Sequence, residues 1–271
     1  MDKRLKKVEF YKKFFPRRFP KRNPAKIKFI AKMIEKKYME DDELYCLPKD
    51  GVIPVGDKIE KPPDIILPSQ VVEYFIDKAS YRFIMNFCIC RESVGCKDFP
   101  QDLGCIFLGE AARGIHPEFG REASREEALE FARRSREAGL VHSVGRSKLD
   151  TVWLDIGPGD KLFTICNCCP CCCITRGLVY SHPLLGEKYS RMPGVKVVVN
   201  EGCEGCGTCT EDVCIFHAIK MEGGRAVIGD ECRGCGRCVS VCPNNTIEVI
   251  IEDDQFVQHT IDRLSQKVDV T

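Results

Sequence analysis

The 271-residue chain has no uncharged apolar run approaching the ~20 residues of a membrane-crossing helix, which argues against a spanning protein. Its first residues, MDKRLKKVEF, lack the apolar core and small-residue cleavage site of a secretory signal, so a cytoplasmic location is expected. GEAARG and DIGPGDK have neither the strand–GxGxxG–helix context of a dinucleotide site nor the Gly-Lys-Ser/Thr end of a phosphate loop, and both read as turns. No CxxCH haem site occurs. The five histidines, His116, His142, His182, His217 and His259, are dispersed and read as structural groups, with His142 in the GLVH turn beside the middle cysteines as the one exception. The charged run REEALEFARRSRE has helical i,i+4 pairs rather than a catalytic dyad, so no catalytic residue is assigned.

What the chain holds in excess is cysteine: 19 residues, an odd number that cannot close entirely into intramolecular disulfides. Thiols this dense in a reducing compartment point to metal ligation or catalysis.

Charge is uneven along the chain. Residues 1–37 hold 15 Lys and Arg against Asp2, Glu9 and Glu35, while the whole protein carries only +1, so the remainder is acidic. Phe10, Tyr11, Phe14, Phe15 and Phe19 interleave with these cations, and Ile27, Ile30, Met33 and Ile34 recur at helical spacing. Three readings are open. The arm docks its apolar stripe on the protein; it contacts an anionic membrane surface or an acidic partner; or it meets nucleic acid, for which no reading motif is present.

The chain divides by composition into a basic aromatic arm (1–45), a proline-rich extended linker (46–68), a cysteine-rich, mainly helical region (69–193), a compact module (194–252) and a tail (253–271). The fold class expected is α+β. Ser69 is expected to cap a helix carrying Val72, Phe75, Ile76, Ala79, Phe83 and Ile84 towards Cys88. Ser124 and Glu127 form a capping box, and Gly139 stops that helix. From Val195 the runs VKVVV, AIKM, RAVI and TIEVII read as strands.

Two similar segments lie 29 residues apart, Cys203-x2-Cys206-x2-Cys209-x4-Cys214 and Cys232-x2-Cys235-x2-Cys238-x3-Cys242-Pro243. Zinc sites usually present separated CxxC pairs, whereas three cysteines in seven residues curl around a cluster face. The duplication resembles bacterial-type two-cluster ferredoxins, in which the fourth cysteine of each run ligates the other cluster. Carried over, the resemblance implies one 4Fe-4S cluster on Cys203, Cys206, Cys209 and Cys242, and another on Cys232, Cys235, Cys238 and Cys214. The first repeat departs from the pattern, with four residues before Cys214 and Ile215 in place of proline, so its loop is expected to bulge. Gly205, Gly207, Gly234 and Gly236 let the backbone wrap close and aim amides at the cofactor. Arg233 and Arg237 favour the more negative reduced state, so the cluster they flank is expected to have the higher potential.

The remaining cysteines lie in the middle region. Cys88 and Cys90, two apart on an extended chain, point the same way, and Cys96 and Cys105 could complete four thiolates. In ICNCCPCCC, Cys166, Cys168, Cys169, Cys171, Cys172 and Cys173 cannot all serve one cube without sharp turns, so some are spare or serve a second centre. Cys46, isolated, reads as a buried apolar thiol. The segments CICR, GCIFLGEAARG, GRxASREEAL, EAGLVH and ICNCCPCCC resemble poorly characterised ferredoxin-like iron-sulfur proteins of anaerobic bacteria and archaea. That resemblance implies iron-sulfur binding in anaerobic redox metabolism. The expected function is an electron-transfer protein with at least one extra cluster beside the two, serving a partner oxidoreductase. An open-site redox enzyme and a redox sensor or cluster-delivery protein are the alternatives.

Overall fold

A computed structural model describes residues 2–14, 24–50 and 67–271. Phe15, Phe19 and most of the proline-rich segment lie outside the described residues. The helices are α1 (Lys3–Phe14), α2 (Lys28–Tyr38), α3 (Ser69–Lys78), α4 (Ile89–Val94), α5 (Arg125–Glu137), α6 (Lys148–Leu154), α7 (Pro183–Gly186), α8 (Arg237–Val241) and α9 (Phe256–Ser265). Strands β1 (Glu43–Cys46), β2 (Arg82–Met85), β3 (Ile106–Leu108), β4 (Gly120–Glu122), β5 (Val141–Arg146), β6 (Phe163–Cys168) and β7 (Tyr189–Arg191) form one sheet, ordered β4-β2-β3-β6-β5-β1-β7. All neighbours are antiparallel except β1 and β7. Two further ribbons pair β8 (Val195–Val199) with β11 (Ile247–Ile251) and β9 (Ile219–Glu222) with β10 (Arg225–Ile228).

The α+β class holds, and in the middle region the helices pack around a sheet. Its central strands are short and buried on both faces, so they lack the alternation that marks a half-exposed strand. The period of two still sorts their side chains. Phe163 and Ile165 join a core with α3, α5 and α9, where Phe75 stacks on Phe163 at 4.2 Å. Cys166 and Cys168 alternate with them and face the other way. On that side α1 and α6 supply Val8, Tyr11, Trp153 and Leu154.

Several local expectations are met and others are corrected. Ser124 and Glu127 close the capping box of α5, and Gly139 takes a left-handed φ of 77° just past its end. Ser69 is the first residue of α3, not its cap; Pro68 precedes the helix, and the Ser69 amide donates to Asp50. Phe83 and Ile84 belong to β2, because α3 stops at Lys78. Val8 and Tyr11 dock α1 on the body, with Lys7 paired to Asp155 and Lys12 to Glu92. Helix α2 buries Ala31 and half-buries Ile30 and Ile34, but Ile27 and Met33 are 58% exposed. Ile27 precedes the helix, and Met33 lies on its outer side.

Asp42 enters the sheet 7% exposed, its carboxylate accepting the Lys148 amide at 2.5 Å. Burial, reinforced by Asp150, raises its pKa to about 7 against the hydrogen bond and the nearby Lys188 and Arg146. The folded protein therefore holds this proton more tightly than the unfolded chain. The resulting stabilisation is complete below about pH 4 and is lost as pH rises through about 7; a three-unit shift bounds it at about 4 kcal/mol. Asp42→Asn retains an acceptor without the charge. It is expected to raise the melting temperature by several degrees at pH 8 and hardly at all at pH 4, as calorimetry at the two pH values would measure.

Candidate metal centres

The C-terminal cysteines surround two cavities. The first, of about 310 Å³ including its open mouth, is lined by Cys203, Cys206, Cys209 and Cys242 together with Glu204 and Thr246. The second, of about 350 Å³, is lined by Cys214, Cys232, Cys235 and Cys238 together with Arg233 and Arg237. The fourth cysteine of each run thus lies with the first three of the other. Asp212 adopts a left-handed φ of 53° in the long Cys209–Cys214 loop, taking up the extra residue there. Cys242 is extended, as the residue before Pro243 must be, and this ends α8.

Local backbone geometry supplies donors to the sulfurs. Gly205, Gly207, Gly234 and Gly236 all have φ between 73° and 81°, a region that only glycine enters cheaply. Amides of Ala226, Ala218, Gly234 and Thr246 donate to Cys203, Cys214, Cys232 and Cys242 at 3.3–3.5 Å. Amides of Ala226 and Gly205 hold the Cys203 thiol below its ordinary pKa. At Cys242 burial opposes ionisation, but the Thr246 hydroxyl and nearby amides outweigh it. Burial instead pushes Cys209, Cys214, Cys232 and Cys238 upward. Such thiols need a cationic partner before they are stable as thiolates.

The middle cysteines divide differently from the sequence expectation. A helix begins between Cys88 and Cys90, so the chain there is not extended, although the two thiols remain close enough to interact. Cys90 also meets Cys173, which lies 3.3 Å from Cys168. Cys96 does not join that group, and Cys105 borders it through Cys166. Cys105 Sγ is 3.3 Å from Cys166, because the β3–β6 register continues one residue beyond Ile106 and Ile165. Cys96 instead meets Cys169, Cys171 and Cys172, all four sulfurs lying within 4.8 Å of one another. The turn after β6 therefore splits the cysteine-rich run between two groups.

Other features of this region are set by long-range register and burial, without a local motif. Cys46 is fully buried and pairs in β1 opposite Ser143, which pairs in β5 opposite Cys166. Cys46 lies beside Cys235, an interaction that lowers the Cys235 pKa and raises that of Cys46. The Tyr189 hydroxyl is buried near Cys46, Cys166, Cys168 and Cys173 and has no hydrogen-bond partner among the described residues. Arg91 is wholly buried beside Cys88 and Cys169. His142 bonds Asn167 through Nδ1 at 2.8 Å, and burial lowers its pKa to about 4, leaving a neutral imidazole. Strand alternation turns it away from Cys166 and Cys168, so it is not placed among the thiols.

Residues 210–252 match the family model of the LdpA Fe-S cluster-binding domain. The chain carries an iron-sulfur domain near its C-terminus. The matched span includes Cys214, Cys232, Cys235, Cys238 and Cys242; Cys203, Cys206 and Cys209 immediately precede it. No curated protein and no solved structure matches the chain. The donor set fits iron-sulfur chemistry: four thiols and sulfur-directed amides surround each C-terminal cavity. Among the described residues no helix is long and apolar enough to cross a membrane.

Proposed function

We propose that the protein is an electron-transfer protein. Two 4Fe-4S clusters would be held by the crossed cysteine sets, and at least one more iron-sulfur centre by the thiols on the sheet face, among Cys88, Cys90, Cys105, Cys166, Cys168 and Cys173. Bound clusters would supply reversible redox chemistry; the chain supplies ligands, amide donors and exclusion of water. The observation that carries this reading is the continuity of the thiol groups. Both C-terminal sets border one apolar cluster around Val197, Ile219 and Ile247. Cys214, Cys232 and Cys235 border a second apolar cluster that also contains Cys46, Cys166, Cys168 and Cys173. The route from the sheet face to the C-terminal cavities is thus lined by sulfur and buried apolar side chains. A partner oxidoreductase would exchange electrons at the surface; the Cys206 end of the first cavity is exposed.

Oxygen-free purification followed by iron and acid-labile sulfide counts and potentiometric EPR tests this reading. The expected result is about twelve irons or more with matching sulfide, reversible reduction, and magnetic interaction between neighbouring centres. The centre flanked by Arg233 and Arg237 should reduce at the higher potential. Colourless, sulfide-free material would overturn the proposal, and about eight irons would confine the clusters to the C-terminal module.

A further inference from the structure

The quartet formed by Cys96, Cys169, Cys171 and Cys172 differs from the two C-terminal sets in one measurable respect: its sulfurs converge on a point. Cys171 Sγ stands 3.6 Å from Cys96, 3.6 Å from Cys169 and 3.3 Å from Cys172, and all four sulfurs fall within 4.8 Å of one another. Among the described residues no other group of three or more potential ligand side chains meets that limit. A tetrahedron of sulfurs at the ~2.3 Å zinc–thiolate distance has edges of about 3.8 Å. Thiolates on a cubane each bind a different iron and must stand farther apart, as cysteines do around a cavity that the cofactor fills.

We propose that these four cysteines bind a single metal ion in a closed tetrathiolate site, separate from every iron-sulfur cluster. The chemistry is that of tetrahedral S4 coordination, which suits zinc or a mononuclear iron. The local structure is built for it. Cys96 follows Gly95, which turns the chain out of α4 with a left-handed φ of 65°. The other three lie in the turn after β6, held by Arg176, whose guanidinium donates to the Pro170 carbonyl at 2.5 Å and the Cys171 carbonyl at 3.2 Å. The Cys172 amide donates to Cys169 Sγ at 3.4 Å. Four thiolates on a divalent ion leave two negative charges, and Arg91, buried beside Cys169, brings a positive charge close to them. With four protein ligands the site has no open position, so its role is to clasp the α4 loop to the end of β6 across 75 residues of sequence.

This site lies beyond the electron-transfer reading and concerns thiols that reading leaves unassigned. The test uses full-length protein purified without oxygen from cells supplied with excess iron. Elemental analysis should find one zinc per chain, or one iron unmatched by sulfide, beyond the cluster metal. X-ray absorption at the zinc edge should show four sulfurs at about 2.3 Å and no second metal; a mononuclear iron would give the EPR of a high-spin ferric tetrathiolate after one-electron oxidation with ferricyanide. Cys96→Ser and Cys172→Ser should each lose that one ion and keep all acid-labile sulfide. Loss of about four irons with their sulfide from either variant would show a cubane and overturn the proposal. So would no additional ion in the wild-type protein. If both variants fail to fold, absorption spectroscopy of the wild type decides alone. A protein devoid of sulfide that still holds the single ion would refute the electron-transfer reading and leave this one standing.

Discussion

Replacing Cys214 by serine should empty the cavity formed with Cys232, Cys235 and Cys238 and leave the cavity of Cys203, Cys206 and Cys209 filled. The sequence places Cys214 in the first repeat, five residues after Cys209, so local ligation would give the opposite result. In the folded chain the 3-10 turn Thr208–Thr210 and the left-handed Asp212 carry it to the other set. There its sulfur accepts the Ala218 amide and lies among Val197, Ile219 and Ile228. Serine preserves size but is a poor substitute for a thiolate at iron, so about four irons should be lost. Alkylation under native conditions followed by peptide mass analysis reads out which set is released. Cys232, Cys235 and Cys238 should become reactive while Cys203, Cys206 and Cys209 stay protected. Cys242→Ser should give the mirror pattern. Release of the Cys203 set by Cys214→Ser would show that each repeat binds its own cluster.

The second large effect is expected at Arg91, whose guanidinium is 0% exposed. It donates to the Pro100 and Asn167 carbonyls at 2.7 Å each and to the Leu103 carbonyl. Burial works against its charge, but the neighbouring Cys88 and Cys169 thiols more than compensate and raise its pKa. Arg91→Met fills similar space and leaves three carbonyls without this donor. At ~1–3 kcal/mol for each buried group left unpaired, the loss should be at least about 3 kcal/mol. Arg91→Lys separates the two roles of the side chain. Lysine restores the charge but not the planar fork, so it should recover little stability if the carbonyl bonds dominate. Denaturant unfolding followed by the fluorescence of Trp153, the only tryptophan and itself buried, measures both variants. Full recovery with lysine would assign the effect to charge balance at the thiols.

The parts of the molecule written in local sequence were legible from it. The spacing of the two C-terminal runs, the Ser124–Glu127 box and the four strand segments after Val195 each depend on residues within a few positions of one another. The central sheet was not legible, for a physical reason. Ile106–Leu108 is buried throughout, and Val141–Arg146 is buried at every residue but the last, so neither carries a polar alternation to set against a helical period. The partition of the middle cysteines was hidden for a related reason. Cys105 meets Cys166 through strand register across 61 residues, and Cys96 meets Cys171 across 75. A thiol's partner in such a site is decided by topology, and spacing along the chain is silent about it. Cys46 belongs with these cases: its neighbours Cys235 and Cys168 come from elements that no nearby residue announces.

Helix α9 returns the chain from the C-terminal module to the large sheet. Phe256, Ile261 and Leu264 lie in the same core as Phe75 and Phe163, and the Ser80 amide donates to the Val270 carbonyl at 2.7 Å. At the module's other end, β7 is the edge strand of that sheet. The module is moored fore and aft, and swinging it away would expose at least those three side chains at roughly 1.5–3 kcal/mol each. On the electron-transfer reading proposed above, such a module would not travel on a hinged tether, and any redox partner would have to come to a stationary berth.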